Sequence, residues 1–319
     1  MKILFTSVGR RVELMQAFRK AADELCADLT IIGADITESA PALFFCDETK
    51  IVCRIKEPDY IPQLLKICEE EQVDCLIPTI DTDLLLLAEN KKRFEAIGTK
   101  VLISAVDKVK LCRDKRYTAD YFISVGLKSP IPVDDASKYT FGYPAFIKPK
   151  DGSSSIDAYK VNNEAELEEY AKKVNDYIVQ PFISGREFTI DIFCDYEGNP
   201  VFITPRERLA VRAGEVLKTR IHQDDVMIDE MLKLIADYKP CGQITVQLIQ
   251  EETTGENYYI EINPRFGGGA PLSIKAGADS AKAVIRMLNG EKLEYAPKAA
   301  RNQAVYSRFD QSICVDEGV

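Results

Sequence analysis

Apolar positions return along this 319-residue chain in two different rhythms. In the first part, short apolar runs alternate with stretches where apolar side chains recur every three or four positions. The runs predict strands at 2–7, 29–34, 75–78 and 101–104, and the spaced pattern predicts helices at 11–25, 60–71 and 83–94. Such alternation is the signature of a parallel sheet with helices on its faces. Helices are expected at 106–111 and 115–125, followed by the linker Lys128-Ser129-Pro130-Ile131-Pro132. From Tyr143 the pattern turns strand-rich: 145–148, 156–161, 177–180, 187–194 and 201–206, with a helix over 164–174. A helix at 226–238, strands at 242–250 and 257–263, and a helix at 280–288 complete the reading. The expected division is an α/β unit over 1–104, a small α+β subdomain over 105–181 and a larger one over 182–319.

The last two strands are the most informative. Side chains alternate faces along a strand, so Ile244, Val246 and Leu248 fall opposite Gln243, Thr245 and Gln247. In the next strand Tyr258, Ile260 and Ile262 are the expected apolar face, opposite Asn257, Tyr259, Glu261 and Asn263. The turn Thr253-Thr254-Gly255 predicts an antiparallel hairpin, and pairing Gln247 with Glu261 gathers Gln247, Glu261 and Asn263 on one polar face. One carboxylate with carboxamide oxygens suits Mg²⁺, a hard cation that completes its shell with phosphates. Pro264-Arg265-Phe266-Gly267-Gly268-Gly269 then bends the chain and sets a guanidinium beside that face.

Composition narrows the chemistry. Lys and Arg number 41 against 51 Asp and Glu, a net charge of −10, which argues against a general nucleic-acid or anionic-membrane surface. No run approaches the roughly 18 apolar residues of a membrane span, and 3–5 is interrupted too soon for a signal-peptide core. A cytoplasmic location is expected. The nine cysteines are scattered without a Cys-x-x-Cys pair, and the single His222 excludes a multi-histidine metal centre. The first turn, Thr6-Ser7-Val8-Gly9-Arg10-Arg11, lacks the Gly-x-Gly-x-x-Gly fingerprint, so a nicotinamide-dependent oxidoreductase is a poor fit. Asp81-Thr82-Asp83 reads as a cap for the helix that follows.

Phe146-Ile147-Lys148-Pro149-Lys150 ends a strand and enters Asp151-Gly152-Ser153-Ser154-Ser155, a lysine followed by a small-residue loop that can cradle phosphate. The apolar stretch 177–183 leads into Ser184-Gly185-Arg186-Glu187-Phe188-Thr189, which can line an adenine slot with Glu187 on a ribose hydroxyl. Arg206 and Arg208 share a strand face and Arg212 lies just beyond. Such donors suit a carboxylate acceptor or a developing acyl phosphate.

In this order, with Lys115 ahead of Lys148 and Glu261-Ile262-Asn263-Pro264-Arg265 at the end, the pieces resemble the ATP-grasp superfamily. The Glu261–Arg265 stretch, with Leu272-Ser273-Ile274-Lys275-Ala276-Gly277, is most similar to the synthetase domains of the carbamoyl-phosphate synthase large subunit. The resemblance implies a preATP-grasp α/β domain with a parallel sheet, then an α+β ATP-grasp domain of two subdomains. It implies that Lys115 and Lys148 hold the ATP phosphates and that Gly152, Ser153, Ser154 and Ser155 close over them. Gln180, Phe182 and Ile183 are then the adenine hinge, and Glu187 the ribose ligand. Gln247, Glu261 and Asn263 hold Mg²⁺ (two ions, with Mn²⁺ able to substitute), and Arg265 lies by the transferred phosphoryl group, with Arg208 and Arg212 on the acceptor. The implied activity is an ATP-dependent ligase that activates a carboxylate for an amine or similar nucleophile; a homo-oligomer stays open. Alternatives are phosphorylation of bicarbonate or carbamate and a non-catalytic nucleotide-binding module.

Overall fold

The computed structural model describes residues 1–152 and 156–316. Its first part comprises β1 (Lys2–Thr6), α1 (Val12–Leu25), β2 (Thr30–Asp35), β3 (Glu48–Ile51), α2 (Tyr60–Glu71), β4 (Cys75–Pro78), α3 (Leu84–Ala96) and β5 (Lys100–Val101). The five strands form the expected parallel sheet, in the order β3-β2-β1-β4-β5. Alternation splits its two faces. Leu4, Ile32 and Leu76 pack against α2 and α3, whereas Ile3, Phe5, Ile31 and Ile77 pack against α1. The strand order reverses at β1 and β4, which opens a crevice beyond their carboxyl ends. Gly9 and Ser7 take positive φ there (44° and 53°), turning the chain sharply from β1 towards α1.

Next come α4 (Val106–Arg113) and α5 (Lys115–Ser124), then β6 (Ala145–Pro149), β7 (Tyr159–Val161), α6 (Glu164–Ala171) and β8 (Tyr177–Pro181). These strands make a small antiparallel sheet ordered β7-β6-β8. The remainder is β9 (Gly185–Cys194), β10 (Pro200–Arg212), β11 (Glu215–Ile221), α7 (Asp225–Tyr238), β12 (Gly242–Glu251), β13 (Asn257–Asn263), α8 (Ala270–Ala276), α9 (Ser280–Leu288) and β14 (Val305–Ser307). Its antiparallel sheet runs β13-β12-β9-β10-β11-β14.

One face of the large sheet (Phe188, Ile190, Ile192, Ile244, Val246, Leu248) packs against α5 and α7. The opposite face carries Thr189, Asp191, Arg206, Thr245 and Gln247. The core beneath α1 also takes in Phe193 and Phe266 and extends to Ala281, Val284 and Ile285 of α9.

Two local departures from strict alternation shape the site. Gln247 faces Glu261 in the register, as the hairpin pattern predicts, but the next pair is Leu248 with Tyr259. Ile260 is therefore the extra residue of a β-bulge, and the bulge reverses the face of everything before it. Tyr259 turns into the core with Asn257, both donating to Glu230, at 2.6 and 2.8 Å. The expected apolar face Tyr258-Ile260-Ile262 is thus corrected: Ile262 alone of the three is buried.

The second departure is in β10, which continues past Arg206 to Arg212 and returns as β11 through Ala213 and Gly214, both at positive φ. Register shifts between Arg208 and Val211 re-aim its end. No helix among the described residues is long and apolar enough to cross a membrane.

Candidate active site

Glu261 borders three cavities. The largest, of about 550 Å³, lies between the small sheet and the large one. Its walls include Lys115, Phe146, Lys148, Gly152, Glu187, Gln247, Ile260 and Glu261. Lys148 reaches it because β6 alternates: Ala145 and Ile147 enter the small subdomain's core, and Phe146 and Lys148 face the other way. Lys148 is only 7% exposed, and its ammonium has no hydrogen-bond or ion-pair partner among the described residues. Burial, helped by the positive charge of Lys115 and opposed by Glu261, pushes its pKa down to about 8. Lys115 opens α5 directly after the Asp114 cap, whose carboxylate accepts from Arg116 N–H. Its Nζ donates to the Gly152 carbonyl at 2.9 Å, and burial lowers its pKa as well.

A second cavity, of about 300 Å³, continues from the first past Arg208, Gly214, Gln247 and Glu261, which border both. It is walled by five arginines: Arg11, Arg206, Arg208, Arg265 and Arg308. Arg206 is 2% exposed and held by Asp191 through two hydrogen bonds, Nε at 2.7 Å and Nη2 at 3.3 Å. Asp191 is itself anchored by Ser273 Oγ (2.6 Å) and Thr245 Oγ1 (3.3 Å). Arg206 Nη1 is left buried without a partner, and so are the Nε groups of Arg208 and Arg265 in the hydrogen-bond sense. Orphaned cationic donors concentrated at one cavity are what an anion site looks like before its anion arrives. The glycine loop makes room for them: a Cβ on Gly269 would stand 2.5 Å from Arg206 Nη2, and one on Gly268 would stand 3.0 Å from Arg11 Nη1.

Several predicted residues are brought together here. Asn263 Nδ2 donates to Glu261 Oε1 at 3.0 Å, and the side-chain amide oxygen Oδ1 has no hydrogen bond among the described residues. Arg265 pairs with Asp81 across to the first domain. Arg208 lies 3.3 Å from Glu187, donates to the Gly214 carbonyl at 3.0 Å, and is pulled below the usual arginine range by burial.

Other predicted residues are not brought to the cavities. Arg212 is a correction: beyond the register shifts it points outward, 61% exposed, to Asp310 at 3.0 Å. Gln180, Phe182 and Ile183 do not wall the nucleotide-sized cavity. Phe182 stands one layer behind, against Phe146 at 6.2 Å. Ser153, Ser154 and Ser155 lie outside the described residues. His222 packs on the Phe188 ring away from the cavities.

Asp83 is a further correction. It sits at the start of α3 without a capping bond and instead accepts from Thr6 (2.8 Å) and Tyr60 (3.1 Å). Burial raises its pKa to about 6. Arg11, Asp81, Glu215 and Arg308 were not legible as site residues. They come from four separate segments, and their only sequence signal is the Arg10-Arg11 pair beyond the first strand.

Buried Lys148 and half-buried Lys115 face a hydrogen-bonding polar sheet across a cleft, with an arginine-walled cavity adjoining. Residues 112–269 match the ATP-grasp domain family, and residues 3–102 match the PylC-like N-terminal domain. The chain belongs to the ATP-grasp superfamily. Similar solved structures include Rhizobium etli pyruvate carboxylase, at 20% identity and TM-score 0.74, covering 95% of this chain and 30% of that one. The biotin carboxylase domain of Hydrogenobacter thermophilus 2-oxoglutarate carboxylase, in complex with MgADP and bicarbonate, is 19% identical with TM-score 0.72, covering 95% and 73%. L-amino acid ligase from Bacillus licheniformis is 18% identical with TM-score 0.69, covering 90% and 74%. At these identities the likeness is one of fold.

Proposed function

We propose that the chain is an ATP-dependent ligase that phosphorylates a carboxylate and passes the acyl group to an amine or similar nucleophile. The observation that carries this reading is the continuity of the lysine-lined and arginine-lined cavities through Arg208, Gln247 and Glu261. A phosphoryl donor in one and an acceptor in the other meet at that junction. The L-amino acid ligase and the MgADP–bicarbonate complex support the reading as relatives of the same fold. About 300 Å³ walled by arginines is more than bicarbonate or carbamate fills, which favours an organic carboxylate.

In this reading Lys115 and Lys148 neutralise the ATP phosphates, with Gly152, Ser153, Ser154 and Ser155 closing above them. Glu187 takes a ribose hydroxyl, and the segment of Gln180, Phe182 and Ile183 is the hinge on which residues 105–181 close around adenine. The donors Gln247, Glu261 and Asn263 fit magnesium: all are hard oxygens, and the Glu261–Asn263 hydrogen bond sets the carboxylate while Asn263 Oδ1 has none among the described residues. Among the described residues no group of three His, Cys, Asp or Glu is placed to hold a metal ion, so phosphate oxygens would fill the remaining positions. Magnesium, when bound, would neutralise charge on the transferring phosphoryl group. Arg208 and Arg265 stabilise negative charge on the acceptor side of the transfer, in a site where guanidinium groups are already oriented. The nucleophile needs no covalent enzyme intermediate; among the described residues that wall these two cavities there is no histidine or cysteine.

The test is ADP release by Glu261→Ala. A folded variant, by circular dichroism, should lose carboxylate-dependent ADP release by about 100-fold or more, because a direct ligand to the ion is gone. Wild-type turnover would return the polar face to a solvent-facing role.

A further inference from the structure

The arginine-walled cavity holds more cationic capacity than one carboxylate uses, and its charges sort into two poles. One pole is on β10, where Arg206 Nη1 and the Arg208 guanidinium stand beside Gln247 and Glu261. The other lies across the cavity at the switch point of the parallel sheet, where Arg11 precedes α1. The Arg11 side chain is 20% exposed and its nearest acid is Glu215 at 3.9 Å; among the described residues its guanidinium makes one hydrogen bond, a long one of 3.4 Å to the Thr79 carbonyl.

The acids on the wall are already engaged. Asp81 holds Arg265, Glu215 takes Arg308 at 3.2 Å, and Glu261 stands at the junction with the nucleotide-sized cavity. Among the described residues no carboxylate on the wall stands at the Arg11 end without an arginine partner. Gly268 and Gly269, having no side chains, let the two guanidinium groups approach the same short stretch of backbone, Arg11 at the first and Arg206 at the second. The poles are therefore close enough for one small molecule to span, and the volume of about 300 Å³ lies at the low end for a ligand site.

We infer that the acceptor is a small dicarboxylate: Arg206 and Arg208 hold the carboxylate that is phosphorylated, and Arg11 holds the second one. This rests on the ligase reading above. In the step itself, one oxygen of the first carboxylate forms a bond to the γ-phosphorus as the bond from that phosphorus to the β–γ bridging oxygen breaks, and ADP leaves. The second carboxylate takes no part in bond making; it fixes which end of the molecule enters the junction. Guanidinium–carboxylate contacts are directional, so a monoacid lacking the second group loses a charge-assisted pair.

The experiment compares succinate, glutarate and L-glutamate with butyrate and L-alanine on the full-length chain. Direct binding is read by calorimetry. Activation is read as ADP release with hydroxylamine present, which displaces phosphate from an acyl phosphate to give a hydroxamate. At least one diacid should bind about tenfold or more tightly than its matched monoacid, and Arg11→Gln should bring that diacid down to the monoacid's affinity. Equal binding of diacids and monoacids by the wild-type chain would overturn the inference, whatever Arg11→Gln does to folding. Hydroxamate formed equally from monoacids would also overturn it and would leave the ligase reading intact. Tight diacid binding without ADP release or hydroxamate would overturn the ligase reading alone.

Discussion

The buried Lys148 ammonium makes a quantitative demand on nucleotide binding. Burial and Lys115 hold its pKa at about 8 in the free protein, against an ordinary 10.5. ATP phosphates would stabilise the charged form, so the bound state keeps the proton to higher pH. The sign follows: above pH 8 the free protein has lost a proton that the complex retains, and binding must take one up. At about pH 9 roughly nine free molecules in ten carry the neutral amine, so the apparent affinity for ATP falls about tenfold relative to pH 7. Calorimetry in buffers of different ionisation heat should show proton uptake close to none at pH 7 and approaching one at pH 9. The same displacement acts on the fold. Because the folded pKa is depressed, the charged lysine destabilises the free protein below pH 8 by about 3 kcal/mol, a penalty relieved as pH rises from 8 towards 10.5. Lys148→Met should therefore melt higher at pH 7 and bind ATP poorly, with no pH dependence between 7 and 9. Level ATP affinity across that range in the wild type, without buffer-dependent heat, would refute the reasoning. So would a less stable Lys148→Met protein that binds ATP normally.

The two arginines of β10 should separate cleanly. Arg208→Lys should reduce carboxylate-dependent ADP release about tenfold or more, since lysine cannot reproduce the planar fork, while Arg212→Ala should stay within about twofold of wild type; a matching loss in both would bring Arg212 back to the acceptor. Asp83, whose folded pKa is raised to about 6, binds its proton more readily in the folded state between pH 4 and 6, so that charging it destabilises the fold as pH rises. The stability difference between wild type and Asp83→Asn should move by about 2 kcal/mol towards the asparagine between pH 4 and 8, measured by urea titration at both ends; a constant difference would contradict the burial argument.

What the sequence revealed follows from how local each signal is. The parallel sheet was legible because its strands are near-continuous apolar runs bounded by helices. The Gln247–Glu261 pairing was legible because a hairpin transmits register through its own turn. The edge strand β3 was not: it reads Glu48-Thr49-Lys50-Ile51, and its side chains are half-buried or exposed, without an apolar run to announce it. Alternation also failed wherever a bulge inserted a residue, which hid the inward turn of Tyr259 and the outward turn of Arg212. The second half of the arginine-walled cavity was invisible for a different reason. Arg11, Asp81 and Arg308 meet only in the folded chain, and each alone looks like an ordinary surface charge.

The core shared beneath α1 has a consequence for synthesis. Ile3, Phe5 and Phe18 are covered in part by Phe266, Val284 and Ile285, which leave the ribosome more than 240 residues later. The other face of the first sheet is complete once α2, α3 and α4 have emerged. The nascent chain therefore carries a half-finished sheet, apolar on one side, for most of its translation. A fragment ending at residue 104 would keep that side partly open, and such a fragment should self-associate through it. Residues 1–104 can be drawn as a unit on paper, yet they acquire their full hydrophobic cover only when the last helix docks.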